Sequence, residues 1–335
     1  MTSKKANWLF LTIVLTHIGT VLFLLFWGNS ITLGIVANFF LSEAILMVPA
    51  LLFLLAFERK RDSGGNVGSS FSAGPMFRRV KLSTLLMTML CTVLIMPLVT
   101  VLNALTMFFA ENEVAALQGD ILGMPFPVML FMIGIFGPFC EEFVFRGIMY
   151  RSYGKCAGVG AVLLSAFTFG LMHMNFNQAL YAFGIGIFLA VLAEAAGSLW
   201  ASVCCHMFFN SCQVVLMYLS GWFFNSVYGR AVSEAAEDVT KQELLAALSV
   251  YLVIASVTTP IAVCVIVWIM KNEGRQEVVK TVLFGRQRRN AYPDAALQAQ
   301  GTFGQKRQGC LLSVPLVVAV VLCLGYMSLE LFLIK

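Results

Sequence analysis

The sequence predicts an all-α fold, a polytopic transmembrane helix bundle of about nine spans, and three observations carry that reading. Hydrophobic residues make up 59% of the 335 positions and charged residues 12%, against about 25% charged in an ordinary soluble domain, which excludes a soluble fold. Apolar runs of about 20 residues, long enough to cross about 30 Å of hydrocarbon, recur along nearly the whole chain. Basic residues are concentrated in alternate connections between those runs, the pattern left by loops that stay cytoplasmic.

The spans follow in order as Trp8 to Trp27, Ile31 to Phe57, Leu82 to Phe109, Pro127 to Tyr150, Gly158 to Met174, Asn177 to Gly197, Leu199 to Tyr218, Leu245 to Met270 and Leu311 to Ile334. The first run follows Lys4 and Lys5. It is too long for a signal-peptide core and no small-residue cleavage pattern follows it, so it reads as a retained signal anchor. With the N-terminus inside, the inner segments collect Lys4, Lys5, Arg59, Lys60, Arg61, Arg78, Arg79, Lys81, Arg151, Lys155 and the basic run from Lys271 to Arg307. The outer loops hold only Arg230 and Lys241, beside Glu111, Glu113, Asp120, Glu234, Glu237 and Asp238. This fits an integral, multi-pass plasma-membrane protein with a cytoplasmic N-terminus and an outer C-terminus. The net charge of +5 records topology, and no nucleic-acid partner is needed to explain it.

Two inner connections are the long polar stretches. Glu58 to Lys81 has a Gly/Ser centre bounded by charge, a flexible linker by composition. Lys271 to Cys310 is basic and rich in Gln and Gly, suited to disorder or to the anionic inner leaflet. The nine cysteines fall within spans or at inner edges, so no outer loop offers a disulfide framework. Cys156 and Cys310 stand where palmitoylation occurs. No inverted repeat of the transporter kind is visible. The chain divides into N-terminal spans (1–126), a core (127–219) and C-terminal spans (220–335).

An ionisable side chain near the bilayer centre costs about 2.5 to 3.5 kcal/mol on insertion scales, so each one needs a partner or a cavity. The expensive residues gather in spans four, five and seven. Span four contains CEEFVFR, which puts Glu141, Glu142 and Arg146 in consecutive turns of one apolar helix. Glu142 and Arg146 stand at i and i+4 in the acid-first order that favours pairing. Glu141 points about 100° round the helix, without an intrahelical partner, and is left available as a base. Pro138 removes a helix hydrogen bond just upstream and frees a carbonyl near the site. Span five ends in FGLMHMN with His173 four residues after Phe169, and span seven carries His206 and Asn210, again at i and i+4.

Taken singly, each residue has a plain structural use. Arg146 can snorkel to the inner surface with Glu142 as its counter-ion, and His173, His206 or Asn210 can join helices by hydrogen bonds. His17, in span one, lacks polar company and reads as structural. Glu43, Asn103 and Glu194 read as structural or cavity-lining.

Together the residues supply the parts of amide hydrolysis. A carboxylate and an imidazole in reach of one water polarise it for attack, and the acid then protonates the leaving amine. His206 and Asn210 can donate to the developing oxyanion. A metal version uses His173, His206 and Glu141 around Zn²⁺ with one open position, but lacks HExxH spacing, so metal dependence stays open. GxSxG does not occur, and Cys204 and Cys205 point to other helix faces than His206, which leaves a nucleophilic Ser or Cys without support.

These residues form three ordered motifs: EExxxR as Glu141, Glu142 and Arg146; FxxxH as Phe169 and His173; HxxxN as His206 and Asn210. In them the sequence resembles the CPBP family, which joins type II CAAX prenyl endopeptidases to bacterial bacteriocin-processing and immunity (Abi) proteins. The resemblance implies a CPBP-like catalytic core in spans four to seven and a cavity open toward lipid and cytoplasm. It also implies that Glu141 and His173 activate water, with His206 and Asn210 at the oxyanion. The expected function is that of a membrane-embedded endopeptidase acting on a membrane-associated or lipidated protein or peptide. A non-enzymatic immunity or sensor-binding protein on the same scaffold and a proton-coupled transporter, with Glu141 and His173 as relay, are the alternatives.

One difficulty attaches to the span edges. Glu141 falls nearer the inner surface and His173 near the outer end of its helix, a mismatch above about 10 Å unless span five is tilted or begins later.

Overall fold

The computed structural model describes residues 2–27, 33–58, 76–110, 112–154, 158–228, 240–284 and 311–333. Among the described residues every regular element is helical. The centres of both basic inner loops, the outer Glu111, Arg230, Glu234, Glu237 and Asp238, and Cys156 and Cys310 lie outside them.

Helix α1 is Ser3–Trp27, α2 Ile35–Glu58, α3 Leu82–Thr106, α4 Phe126–Tyr153, α5 Gly158–Met172, α6 Phe176–Ala196, α7 Leu199–Tyr228, α8 Lys241–Asn272, α9 Gln276–Phe284 and α10 Val314–Leu333. Two short helical turns, Glu113–Ala116 and Gln118–Leu122, precede α4. Eight of these helices are long and apolar enough to cross a membrane, which makes the protein a multi-pass helical bundle. They correspond to eight of the nine expected spans.

The expected fifth span is the shorter one. At 15 residues, α5 reaches about 22 Å, less than the hydrocarbon thickness. Helix α4, by contrast, runs for 28 residues, longer than expected, and Glu141 stands at its middle. The mismatch in depth between Glu141 and His173 came from these two boundaries. The end of a short helix and the centre of a long one lie at similar depth.

Helix α4 is also irregular. Leu130–Phe136 and Phe143–Tyr150 are π-helical, separated by the α-helical segment Gly137–Glu142. Pro138 has no N–H to donate, so the preceding turn is left short of a donor. Helix α7 supplies two: Asn210 Nδ2 donates to the carbonyl of Ile133 at 3.1 Å and Ser211 Oγ to that of Gly134 at 3.3 Å. Wide π turns of this kind recur at functional sites.

Helices α5 and α6 form a hairpin whose turn is His173, Met174 and Asn175. Asn175 is extended and its side chain accepts from Gln178 N, starting α6. The hairpin closes tightly because a Cβ on Gly170 would stand 2.5 Å from the carbonyl oxygen of Ala179. No side chain fits there without separating the helices.

Contacts sort the helix ends into two sides. Asn7, at the start of α1, donates to the Leu311 carbonyl and Ser313 Oγ before α10. The start of α3 meets the end of α8: Glu273 accepts from Arg78 NH2 at 2.9 Å, Lys81 N at 3.1 Å and Thr84 Oγ1 at 2.6 Å. Arg78 also donates to the Ala196 carbonyl at the end of α6, and Arg275 pairs with Glu194 at 2.8 Å. On the opposite side Asn177 Nδ2 donates to Thr106 Oγ1, joining the start of α6 to the end of α3. This is the alternation that successive crossings require.

Glu273 lies beyond the end of its span. Partial burial pushes its carboxyl up, but the hydrogen bonds from Thr84, Lys81 and Arg78 and the Arg78 charge outweigh that and hold it below the usual carboxylate range. A depressed carboxylate stabilises the fold fully above its unfolded value and loses that contribution as pH falls through the folded one. The melting temperature in detergent should therefore fall as pH drops below about 4, and Glu273→Gln should flatten that acid limb while costing on the order of 1 kcal/mol at pH 7. Thermal unfolding of both proteins across pH measures this; parallel acid limbs would count against it.

Candidate active site

The seven motif residues come from α4, α5, the α5–α6 turn and α7. Helix α4 presents Glu142 and Arg146 inward, and the pair expected from their spacing is made, with Arg146 NH1 2.6 Å from Glu142 Oε1 and both side chains at 0% exposure. Such a pair carries no net charge, which is what permits it at this depth. Arg146 is held on two further sides. Its NH2 donates to the Gly186 carbonyl of α6 at 3.3 Å, and its guanidinium lies 4.2 Å from the centroid of the Phe169 ring, a cation–π contact.

His206 stands between the two glutamates. Its Nδ1 is 3.1 Å from Glu142 Oε1 and its Nε2 is 3.6 Å from Glu141 Oε2. A carboxylate oxygen can only accept, so Nδ1 carries a proton and donates it to Glu142. Glu141 is left facing Nε2 rather than a cation of its own helix, and its side chain is 24% exposed. Of Glu141, Glu142 and Arg146 it alone reaches accessible space, so the split expected from the helix faces is present.

His173 is placed by the end of α5. Its backbone N–H bonds to Gly170 in a tightened last turn, which leaves the Phe169 carbonyl without its usual helical donor. The His173 ring fills that vacancy, with Nδ1 3.0 Å from Phe169 O. Donation from Nδ1 fixes the neutral tautomer with Nε2 as an acceptor. The next residue, Met174, is left-handed at φ 54° and buried, a conformation that costs a non-glycine residue about 1 to 2 kcal/mol. The tight hairpin holds it.

Phe169 is the residue whose part sequence spacing did not expose. Its ring is edge-on to His173 at 5.1 Å and to His206 at 5.9 Å, while Arg146 covers its face. One aromatic ring thus touches both imidazoles and the guanidinium. A phenylalanine four residues before a histidine was visible in the sequence; what it touches was not.

The structure does not gather a metal site. Among the described residues no group of three His, Cys, Asp or Glu side chains stands close enough to share an ion, so His173, His206 and Glu141 are not placed as a ligand set. Asn210 is engaged through one amide N–H with Ile133 O, leaving the second. Cys205 hydrogen-bonds Thr92 at 2.8 Å, and the described cysteines are all free. His17 packs edge-on against Tyr326, and Glu194 accepts from Tyr150 and Arg275. Two cavities flank α1, of about 510 Å³ beside Trp8 and Pro315 and about 390 Å³ beside Thr16 and Ile45; neither is lined by a motif residue.

Removing one partner of a buried pair leaves a bare charge, at a cost of about 3 to 5 kcal/mol, whereas replacing both is often nearly neutral. Arg146→Met alone should therefore sharply reduce the yield of folded protein. The double variant Glu142→Gln, Arg146→Met should recover most of it, because the new amide still accepts from His206. Detergent melting temperatures of the single and double variants check this, and equal losses would show that Arg146 acts through packing alone.

Comparison with known proteins finds a family to which this segment is similar. Residues 123–212, which contain all three motifs, match the family model described as type II CAAX prenyl endopeptidase Rce1-like. A Bacillus subtilis (strain 168) protein named "Putative membrane peptidase YdiL" is 29% identical over 108 residues, covering 32% of this chain and 43% of that protein. The match thus spans less than half of the relative's length. No solved structure matches the chain. The similarity to that family is confined to residues 123–212, and Glu141, Glu142, Arg146, His173, His206 and Asn210 all lie within them.

Proposed function

We propose that this protein is an intramembrane endopeptidase that uses Glu141 to activate water against a peptide bond in a membrane-associated or lipidated protein or peptide. The observation that carries the reading is the arrangement at mid-depth of α4. A neutralised Glu142–Arg146 pair is fully buried, while the neighbouring Glu141 reaches accessible space against His206 Nε2.

The charges support a proton-handling role. Glu141, Glu142 and Arg146 sum to one negative charge when all are ionised, so one proton shared between Glu141 and His206 Nε2 makes the cluster neutral. That proton has two sites 3.6 Å apart, and neutrality is what a low-dielectric interior favours. Glu141 accepts a proton from water as the oxygen attacks the scissile carbonyl, and later returns it to the leaving amine. His173 Nε2, held as an acceptor by the Phe169 carbonyl, suits orientation of the same water. His206 Nε2–H and the second N–H of Asn210 are the donors for the oxyanion.

A site at this depth selects substrates whose cleavable bond can enter the bilayer. The family description points to CAAX-type processing, and bacteriocin-type processing is the other form within the same family. The basic inner segments support a plasma-membrane protein with its N-terminus in the cytoplasm.

Glu141→Ala should abolish cleavage while leaving the amount and melting temperature of folded protein unchanged. Comparison of membrane-protein termini from cells carrying the parent and the variant identifies the products lost; identical termini would sink the assignment. Cleavage by purified protein should persist in the presence of a chelator such as 1,10-phenanthroline. Loss of activity that Zn²⁺ restores would replace this mechanism with a metal-dependent one.

A further inference from the structure

Helix α2 lies outside the segment matched by the family, yet it carries an acid against the site. Glu43 is 7% exposed, mid-helix in α2. Its carboxyl rests against Gly137 of α4: a Cβ there would stand 3.2 Å from Glu43 Oε1 and 3.1 Å from Phe39. Glycine at 137 is what leaves room for this carboxyl. Gly137 and Glu141 are one turn apart on the same face of the α-helical segment 137–142. Glu43 therefore packs on the face that carries Glu141, one turn away.

Among the described residues Glu43 makes no ion pair. Glu43 Oε2 is buried without a hydrogen-bond partner among the described residues. The titratable groups of α4 nearest Gly137 in the chain are Cys140 and Glu141; His206 stands against Glu141, and Arg146 is already committed to Glu142. Helix α1 turns Thr12 and Thr16 toward α2 and packs His17 on Tyr326. Two carboxyls set against one face of α4, one turn apart in an apolar interior, cannot both carry charge cheaply, the situation in which such groups titrate as a pair.

We propose that Glu43 and Glu141 form a coupled carboxyl pair holding one resident proton, with Glu43 a positioning residue that acts on the reaction only through Glu141. This role in turnover rests on the peptidase reading; the pair itself does not. In turnover the pair starts with one proton, on Glu43. Water gives a second to Glu141 as its oxygen bonds to the carbonyl carbon. When the C–N bond breaks, the amine takes one proton from the pair, the product acid keeps the other hydrogen of water, and the pair returns to one proton.

Infrared difference spectroscopy of the purified protein in liposomes tests the pair without a substrate. At neutral pH the parent should show a carboxylic-acid C=O stretch that is removed or shifted both by Glu43→Gln and by Glu141→Gln. Glu43→Asp keeps an acid in a shorter side chain, and should shift the band without abolishing it. No such band, or a band that either Gln substitution leaves untouched, overturns the proposal. In the cleavage assay Glu43→Gln should lower kcat about tenfold or more with KM unchanged, alter the pH–rate profile, and be partly rescued by Glu43→Asp. Parental kcat and pH profile in Glu43→Gln overturn the role in turnover. A parent that shows the band and cleaves nothing counts against the peptidase reading alone.

Discussion

The Arg146–Glu142 ion pair is the constraint on which the rest of the site depends. Hydrocarbon tolerates an ionised side chain only when its charge is cancelled nearby and its hydrogen-bonding groups are occupied. Here Arg146 cancels Glu142, and the Gly186 carbonyl and Phe169 ring take further faces of the guanidinium. Because those partners come from α5 and α6, satisfying one arginine fixes three helices against one another. Glu142 in turn orients His206 through Nδ1, so the same pair that makes the charges affordable also aims the imidazole at Glu141.

The backbone around the pair is bent to serve it. Pro138 and the π turns break the regular ladder of α4, and side chains of α7 repair it at Ile133 and Gly134. Asn210 is therefore both a candidate oxyanion donor and a fastener between α4 and α7. Its loss would mix a catalytic effect with a packing one. On the other flank, a short helix and a strained Met174 bring His173 to the depth of Glu141, with Gly170 permitting the close approach of α5 and α6.

The spans outside the family core have two visible uses. Helices α3 and α8 are tied at one end by Glu273, Arg78 and Thr84, and the α8–α9 turn clamps Glu194 at the end of α6. Helix α2 does something different, placing Glu43 beside α4 where Gly137 leaves space. The flanking helices thus both brace the core and extend its acid cluster.

The membrane bundle is legible in composition alone, because 59% hydrophobic residues in long runs have no soluble solution, and so are the partners within one helix, because spacing of four residues sets the Glu142–Arg146 contact wherever the helix goes. The same angular argument separates Glu141 from that pair. What crosses between helices is a matter of packing: that His206 lies between both glutamates, that Phe169 touches two histidines, and that Glu43, which looked structural, stands against Gly137. Such contacts depend on helix rotation and depth, which an apolar stripe several residues wide leaves free. The fifth span was misjudged for a related reason. Hydropathy continues through Met172, His173 and Met174, while the chain turns there because Asn175 caps the next helix and packing holds Met174 left-handed.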